Sequence, residues 1–405
     1  MTDPRDRLDG HDRPLLVGVD IGGSKIAVLV VDRDARVLAR NVAPTSAGAP
    51  ERAVDEIAAV VGAALADAGA TTDDIAALGV GVPGRVDPLT GTVTLAVNLG
   101  WSDLPLGARL EAGFGRPCVV ENDVRAAALG LHRRRVVGPI DDLAYLAVGT
   151  GVSAGVILHG RLHRGARGLA GEIGHVIVDP GGALCACGQN GCLETLVSGS
   201  AIARLAREAF DAGRGTIPAA AAPQESVRRR STAPNYSGEG AVEPATTEPG
   251  RGTIPTVDGR AAGEAGALDA AASRREAIGG NATAIDVYRA AASGDPLATE
   301  IADAVGRRLA WAVHLLVMAY DVERVVLGGG VSHAGETFVL PIQRELDRMR
   351  AASALAREQL TPDIVELLPP GADAGAWGAV VIAATAHAGI GTGHGWEEVG
   401  HVRET

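Results

Sequence analysis

Three glycine-rich turns, each at the end of a predicted strand, most constrain how this chain can fold. They lie at Gly22-Gly23, at Gly149–Gly151 and at Gly328–Gly330, so both halves of the sequence carry them. Glycine at such a position permits a tight turn or a close approach of the backbone to another group. One turn of this kind is weak evidence for a ligand site. Three turns spread over the chain are better explained by one nucleotide held between two lobes.

Apolar runs between these turns predict a mixed α/β chain. Strands are predicted at residues 15–20, 26–31, 37–42, 75–82, 117–120, 143–148, 152–158 and 322–327. Helices are predicted at residues 52–68, from Asp123 onwards, at 300–320 and at 374–386. The pattern is a β-meander followed by βα units, and it occurs twice.

Length, apolar content and charge narrow the class of protein. At ~100 to 200 residues per domain, the 405 residues indicate two or three globular units. The longest apolar helical run, twelve residues from Leu309 to Tyr320, is too short to span a membrane, and the charged amino terminus does not resemble a signal peptide. We therefore expect a cytoplasmic protein with reduced cysteines. A net charge of −12 argues against nucleic acid as a partner.

Lys25 is the only lysine among the 37 basic residues of the chain. A Walker phosphate loop is excluded, because it needs Gly-Lys followed by Ser or Thr, whereas Ser24 precedes Lys25 here. The turn still suits a phosphate. Gly22 and Gly23 would admit backbone N–H groups, Ser24 and Lys25 would add a hydroxyl and an ammonium, and Asp20 could organise Mg²⁺ through water. The alternative is an ordinary hairpin turn.

A cluster of metal-ligand residues follows the second glycine turn. Three of the four cysteines, Cys185, Cys187 and Cys192, fall within eight residues, and His175 precedes them. Zn²⁺ prefers four sulfur or nitrogen ligands in a tetrahedron, and a cytosolic cluster of this kind is typical of metal binding rather than of disulfides. The sequence therefore predicts a structural Cys₃His zinc site. The fourth cysteine, Cys118, lies in an apolar strand and is predicted to be buried in the core.

The segment Glu121–Asp123 ends a strand and begins a helix. Asp123 at that position suits an N-cap, which is a common role for aspartate. The same geometry would also present its carboxylate to a cleft, where it could accept a hydroxyl proton as a general base. Asn98, Glu172 and Glu194 flank the glycine and metal motifs, but each alone indicates only solvated surface.

Residues 211–280 differ in composition from the rest of the chain. Leu, Ile, Val and Phe supply only seven of these seventy residues, below the ~20% at which disorder is expected. We predict a flexible insertion here and a loose tail at 389–405. The flanking segments, ending near Phe210 and resuming near Ala284, are predicted to be helical and close together.

Together these motifs resemble the ROK family of bacterial sugar kinases and sugar-responsive repressors. Asp20–Lys25 resembles the first phosphate loop of the family, and Glu121–Asp123 followed by Ala126–Gly130 resembles its catalytic signature. Gly171–His175, with a CxCGxxGCxE motif that ends at Glu194, resembles its zinc and sugar signature. The resemblance runs from about Leu15 to His387, apart from the insertion.

The resemblance implies an α/β, actin-like or hexokinase-type two-domain fold with an interdomain cleft. The expected domains are a small one of residues 14–122 with 374–388 and a large one of residues 123–373, which contains the insertion. The implied reaction transfers a phosphoryl group from Mg·ATP to a hexose, with glucose as the first choice. We further expect a homo-oligomer, either a dimer or a tetramer.

Roles for individual residues follow from the same resemblance. Asp123 would be the general base, and the sugar hydroxyls would be bound by Asn98, Asn122, Asp123, Glu172, His175 and Glu194. Zinc would be held by His175, Cys185, Cys187 and Cys192. The nucleotide would be bound by Asp20, Gly22, Gly23, Ser24, Lys25, Thr150, Gly151, Gly328, Gly329 and Gly330.

The chain departs from the family pattern at several positions. Ser153 and Ala154 stand where the second phosphate loop usually has glycines, Ser24 replaces the commoner threonine, and Arg125 stands where asparagine is frequent. Other functions remain open: a kinase of N-acylmannosamine or another hexose, and a sugar-sensing regulator. Only 14 residues precede Leu15, too few for a helix-turn-helix, which argues against the regulator.

Overall fold

The structure is a computed structural model that describes residues 14–46, 48–214 and 282–390. Nearly all of the predicted insertion at 211–280, and the predicted tail beyond residue 390, lie outside these ranges. The two-domain division expected from the resemblance, with its boundary at 122/123, stays a prediction.

The elements of the first half alternate strands with a few helices. In chain order they are β1 (Leu15–Ile21), β2 (Lys25–Val31), β3 (Val37–Pro44), α1 (Ala53–Asp67), β4 (Ile75–Val82), β5 (Arg85–Asp87), β6 (Thr92–Ala96), β7 (Trp101–Leu104), α2 (Leu106–Phe114), β8 (Cys118–Asn122) and α3 (Asp123–Arg133).

The second half begins with strands and continues mainly with helices. Its elements are β9 (Leu143–Val148), β10 (Val152–Leu158), β11 (Arg161–Leu162), α4 (Glu194–Val197), α5 (Gly199–Asp211), α6 (Ala284–Ala292), α7 (Pro296–Tyr320), β12 (Arg324–Gly328), α8 (Glu336–Ala352), α9 (Ala354–Gln359), β13 (Val365–Leu367) and α10 (Ala374–Ile390).

Two five-stranded sheets share one topology. The first has the order β3-β2-β1-β4-β8 and the second β11-β10-β9-β12-β13. In each sheet the first three strands of the chain pair antiparallel, and the last two extend the sheet in parallel. The repeated meander predicted from the apolar runs is therefore confirmed. Parallel strands end at the same edge of their sheet, so the last residues of β1, β4 and β8 lie side by side at that edge.

Helices α3 and α10 pack against each other, α3 also against β9 and β10, and α10 also against β1 and β4. Glycines make this packing close. A Cβ on Gly130 of α3 would lie 2.6 Å from the Gly378 nitrogen of α10, and a Cβ on Gly18 of β1 would lie 2.6 Å from the Ala376 oxygen. A Cβ on Gly79 of β4 would overlap the Ala379 carbonyl oxygen. The two helices are thus fixed at backbone contact.

Several elements were not predicted from the sequence. They are the small sheet β5-β6-β7, helices α2, α4 and α9, and the short strands β11 and β13. The small sheet follows β4 directly in the chain and carries, between β6 and β7, the short turn that contains Asn98. Its strands have three to five residues, too few for a clear alternation of apolar and polar positions.

The helices that flank the insertion behave as predicted. Helix α5 ends at Asp211, α6 begins at Ala284 behind a Thr283–Asp286 capping box, and the two helices pack against each other. Cys118 is buried in β8, as expected. No helix within the described ranges combines the length and apolar character needed to cross a bilayer.

Replacing Gly79 by alanine should destabilise the protein severely, because the new methyl group would overlap the α10 backbone. Overpacking of this kind costs ~3 kcal/mol or more, equivalent to a fall in Tm of roughly 6 °C or more. Gly62, exposed within α1, is the matched control, because a Cβ there would meet no atom within 4 Å. Gly62→Ala should raise stability by ~0.5–1 kcal/mol. Equal Tm values for the two variants would refute the close packing.

Candidate active site

The strand ends of both sheets open on one cavity of about 790 Å³. Most of the residues predicted for the site line this cavity. They are Asp20, Gly23, Asn98, Asn122, Asp123, Thr150, Gly151, Glu172, His175, Cys187, Glu194 and Gly329. Residues that lie more than 300 positions apart in the chain thus share one wall.

The other predicted residues lie beside the cavity rather than in its wall. They are Gly22, Ser24, Lys25, Cys185, Cys192, Gly328 and Gly330. Ser24 and Lys25 are exposed, but the Lys25 ammonium is close enough to lower the pKa of Asp20. A Cβ on Gly328 would collide with the Tyr145 ring. Gly328 therefore makes room for Tyr145, a packing role that the sequence did not indicate.

The second and third glycine turns lie next to each other. Strands β9 and β12 run in parallel, with Ala147 opposite Gly328, so the turns that follow them leave the same sheet edge. A Cβ on Gly149 would lie 3.8 Å from the Gly330 nitrogen, whereas a Cβ on Gly330 would meet no atom within 4 Å. Gly329 has a positive φ of 86° and faces the Val148 backbone. These turns offer open backbone at the cavity, as a phosphate site requires.

Asp123 is the first residue of α3, and the cap of that helix is Asn122. The Asn122 side-chain oxygen accepts a hydrogen bond of 3.0 Å from the Arg125 backbone N–H. The interpretation of Asp123 as an N-cap is therefore wrong. Asp123 Oδ1 instead accepts hydrogen bonds from the Val124 N–H, at 2.9 Å, and from the Asn122 side-chain amide, at 3.0 Å. These bonds fix the carboxylate in the cavity wall.

The side chain of Asn122 is already engaged within the protein. Its amide nitrogen donates to the Gly84 carbonyl, at 3.1 Å, as well as to Asp123. An amide has two protons, so both are used. A direct contact of Asn122 with a sugar, implied by the family resemblance, stays a prediction and would have to use the side-chain oxygen. The observed role of Asn122 is to orient Asp123.

Asp20 and Asp123 lie in the cavity with raised pKa values. Burial is the main cause in both, raising the pKa of Asp20 to about 7 and that of Asp123 to about 6. The Asp123 charge further raises the pKa of Asp20, and the neighbouring Glu172 raises that of Asp123. A little of each side chain remains open to the cavity. These are carboxylates whose protonation changes near neutral pH, a property typical of functional acids and bases.

The four predicted metal ligands come together. The ligand atoms of His175, Cys185, Cys187 and Cys192 all lie within 4.8 Å of one another. The sulfurs of Cys187 and Cys192 are 3.6 Å apart, and His175 Nδ1 is 3.6 Å from the Cys185 sulfur. Tetrahedral zinc with Zn–S bonds of ~2.3 Å would separate two sulfurs by ~3.8 Å and a sulfur and a nitrogen by ~3.6 Å. The cluster therefore has the spacing of a four-coordinate metal site.

Glu194 links this cluster to the second glycine turn. Its Oε2 accepts a 2.9 Å hydrogen bond from the Val152 N–H, and a Cβ on Gly151 would lie 2.6 Å from the same oxygen. Its Oε1 lies 4.0 Å from the Cys185 sulfur. Gly151 is thus needed to admit Glu194. A loop ordered by metal would hold this carboxylate at the cavity wall.

Among the lining residues that the sequence did not predict, three stand beside the acids or carry charge. They are Arg85, Tyr145 on β9, which feels the charges of both Asp20 and Asp123, and Gly375 in the first turn of α10 beside Asp20. A Cβ on Gly375 would overlap the Asp20 carboxylate. Alternation along β9 could have indicated that Tyr145 and Ala147 face the cavity together. No sequence signal pairs Gly375 with Asp20, because 354 positions separate them.

Comparisons with known proteins fit this geometry. The chain matches the ROK family over residues 16–243 and 256–386. It is 32% identical over 334 residues to a glucokinase of Streptomyces coelicolor, covering 82% of this chain and 87% of that protein. It is 34% identical over 219 residues to an N-acetylmannosamine kinase of Citrobacter koseri, covering 52% of this chain and 72% of that protein.

A solved structure extends the comparison to the fold. The crystal structure of a ROK family glucokinase from Streptomyces griseus, in complex with glucose and AMPPNP, is 30% identical and has a TM-score of 0.65. The match covers 92% of this chain and 99% of that one. The expected actin-like, two-domain α/β fold is thereby confirmed.

Replacing Asp20 by asparagine should stabilise the protein in a pH-dependent way. The folded pKa is raised to about 7 from 3.8, so the wild type loses stability as pH rises between these values. An amide has no such loss, and we expect a gain of ~1–3 kcal/mol at about pH 8 that shrinks towards about pH 5. Denaturant titrations at both pH values measure it. Glu51→Gln, on the exposed surface, is the control and should show no such trend. A pH-independent difference for Asp20→Asn would contradict the assignment.

Proposed function

The chain belongs to the ROK family, and we propose that it phosphorylates a hexose with ATP, glucose being the preferred sugar. The observation that carries this proposal is the position of Asp123, a largely buried carboxylate with its pKa raised to about 6, in a cavity also bordered by three glycine turns. Phosphoryl transfer needs positioning and charge stabilisation more than covalent chemistry by the protein.

Asp123 would act as the general base. The Val124 N–H and the Asn122 amide bind its Oδ1, so Oδ2 is the oxygen left to accept the proton of a sugar hydroxyl. A base works best when its pKa lies near the working pH. Removal of this proton raises the nucleophilicity of the hydroxyl oxygen towards the γ-phosphoryl group.

The cavity wall divides into a sugar side and a phosphate side. Asn98, Glu172, His175 and Glu194, with Asn122, would bind sugar hydroxyls. The three glycine turns, with Ser24 and Lys25, would hold the phosphates, and Asp20 would organise Mg²⁺. Because Lys25 is exposed beside Asp20, its ammonium would reach the phosphates only from the open side of the cavity.

The four-residue cluster would hold a structural zinc ion. Its donor set of three sulfurs and one nitrogen is typical of closed structural zinc sites. Because Nδ1 of His175 faces the Cys185 sulfur, Nε2 would be the nitrogen left for the sugar. The zinc would order the loop that precedes Glu194.

The preferred sugar is the finer part of the proposal. The glucokinase of Streptomyces coelicolor matches a larger share of this chain than the N-acetylmannosamine kinase of Citrobacter koseri does, which favours glucose. A kinase of N-acylmannosamine or another hexose is the alternative, as is a sugar-sensing regulator. ATP-dependent phosphorylation across glucose, mannose, N-acetylglucosamine and N-acetylmannosamine separates them: highest kcat/KM on glucose supports the proposal, and turnover of no sugar supports the regulator.

Asp123→Asn should lower kcat by ~10²-fold or more, because it removes the base while keeping the shape of the side chain. The KM for the sugar and the Tm should change little. Asp103→Asn, an exposed acid on β7, is the matched control and should leave kcat unchanged. A kcat for Asp123→Asn within a few-fold of wild type would exclude the general-base role.

The purified protein should contain about one zinc ion per chain, and Cys187→Ser should lose both the metal and sugar affinity. Elemental analysis and sugar titration measure these effects. Cys118→Ala, which removes a cysteine outside the cluster, is the control and should retain the metal. A gently purified wild-type protein without metal would overturn the zinc proposal.

A further inference from the structure

Arg125 is a buried arginine at the start of α3 that contacts two separate parts of the chain. The residue is only 2% exposed. Its Nε lies 3.1 Å from Glu121 Oε1, at the end of strand β8, and its Nη1 donates a 2.8 Å hydrogen bond to the Gly168 carbonyl oxygen. One guanidinium thus joins the strand that leads to Asp123 to a distant loop.

That loop, which we call the Glu172 loop, comprises residues 164–172. Its two ends are held by strand β10: the His163 N–H donates to the Val156 carbonyl just before it, and the Ala154 N–H donates to the Gly171 carbonyl, each at 2.8 Å. Between these anchors lie Gly165 and Gly168, both at positive φ. The hydrogen bond from Arg125 reaches this middle part, next to Leu169 in the cavity wall.

Two arginines, Arg125 and Arg164, pair with one buried carboxylate, Glu121. Glu121 is buried and also receives a 2.6 Å ion pair from Arg164, the first residue of the loop. A buried carboxylate is stable only when it is paired and hydrogen-bonded. Glu121, two residues before Asp123 in the chain, therefore connects the loop with α3: it pairs with Arg164 of the loop and with Arg125 of α3.

Arg125 also acts on Asp123 at longer range. The charged or titratable groups that face Asp123 are Glu172 from the loop, Asp20 from β1, Tyr145 from β9 and Arg125 itself. Arg125 is the cation among these four. It lowers the pKa of Asp123 against the effect of burial, while Glu172 raises it.

We infer that Arg125 is a positioning residue, which holds the Glu172 loop against the junction of β8 and α3 and so sets the distance between Asp123 and the sugar-binding wall. A guanidinium can do this because its charge pairs with Glu121 while its Nη1 donates to the Gly168 carbonyl, whereas an ammonium presents one point charge. The inference rests on the proposed function for its kinetic consequences, but the contact with the loop is independent of that function.

Two variants of Arg125 separate its contacts from its charge. Arg125→Met should release the loop, so that amide hydrogen exchange in residues 164–172 accelerates at least ~10-fold. It should also lower kcat/KM for the sugar by ~10-fold or more and move the acid limb of the pH profile to higher pH. Arg125→Lys keeps the charge but loses the two-directional contact. It should accelerate exchange in the loop while leaving the acid limb near its wild-type position.

Arg324→Met is the matched control. Arg324 is a largely buried arginine on β12 with two acidic partners, Asp363 and Glu366, away from the cavity. Its loss should lower the Tm without changing exchange in the Glu172 loop or the pH profile. This control separates positioning from the general effect of removing a paired arginine.

The outcomes decide the inference even if kinase activity is absent. Exchange of the Glu172 loop is measured on the free protein, so faster exchange in both Arg125 variants supports the contact whatever the protein phosphorylates. Wild-type exchange in both variants would overturn it. An unchanged acid limb in active Arg125→Met, or the same shift in Arg125→Lys, would overturn the electrostatic part. If Arg125→Met fails to fold, Arg125→Lys still tests the loop contact.

Discussion

Backbone contact between α3 and α10 is the constraint on which the site depends. A Cβ on Gly378 would overlap the Ala126 carbonyl, and a Cβ on Gly155 would lie 2.6 Å from the Val124 carbonyl on the other side of α3. The interior of a protein has no room to absorb such overlaps. The two helices can therefore sit only where glycine faces them, and their first turns then bring Asp123 and Gly375 to the cavity.

The same constraint explains why the site is assembled from distant residues. Gly375 in the first turn of α10 leaves space for the Asp20 carboxylate, which comes from the end of β1. Asn122 at the end of β8 caps α3 and orients Asp123. Each acid is thus fixed by a strand end and a helix start, elements more rigid than a surface loop. Glu194, the first residue of α4, is held by a hydrogen bond from the Val152 N–H at the start of β10.

Sequence patterns predicted the repeated sheets and most of the cavity wall, because strands and glycine turns are encoded locally. Strands β4, β9 and β10 were predicted at their observed bounds. Long-range pairings were not accessible: no local pattern pairs Arg125 with Gly168 or Gly375 with Asp20. Glycines of the same turn also differ in role, since a Cβ on Gly330 would meet no atom, whereas Gly328 makes room for the Tyr145 ring. Only the register of β9 on β12 separates these roles.

The raised pKa values connect the stability of the protein to its chemistry. Burial raises the pKa of Asp20 to about 7 and that of Asp123 to about 6. Ionisation of either carboxylate therefore lowers the stability of the folded chain. Sites that hold buried, unpaired charge are commonly less stable than an optimised core would be. A cation bound beside Asp20 would favour its ionised form. Asp123, whose pKa Arg125 lowers against the effect of burial, keeps a proton affinity that would suit the proposed base near neutral pH. In the proposed roles, the two acids differ because their neighbours differ, not because the residues do.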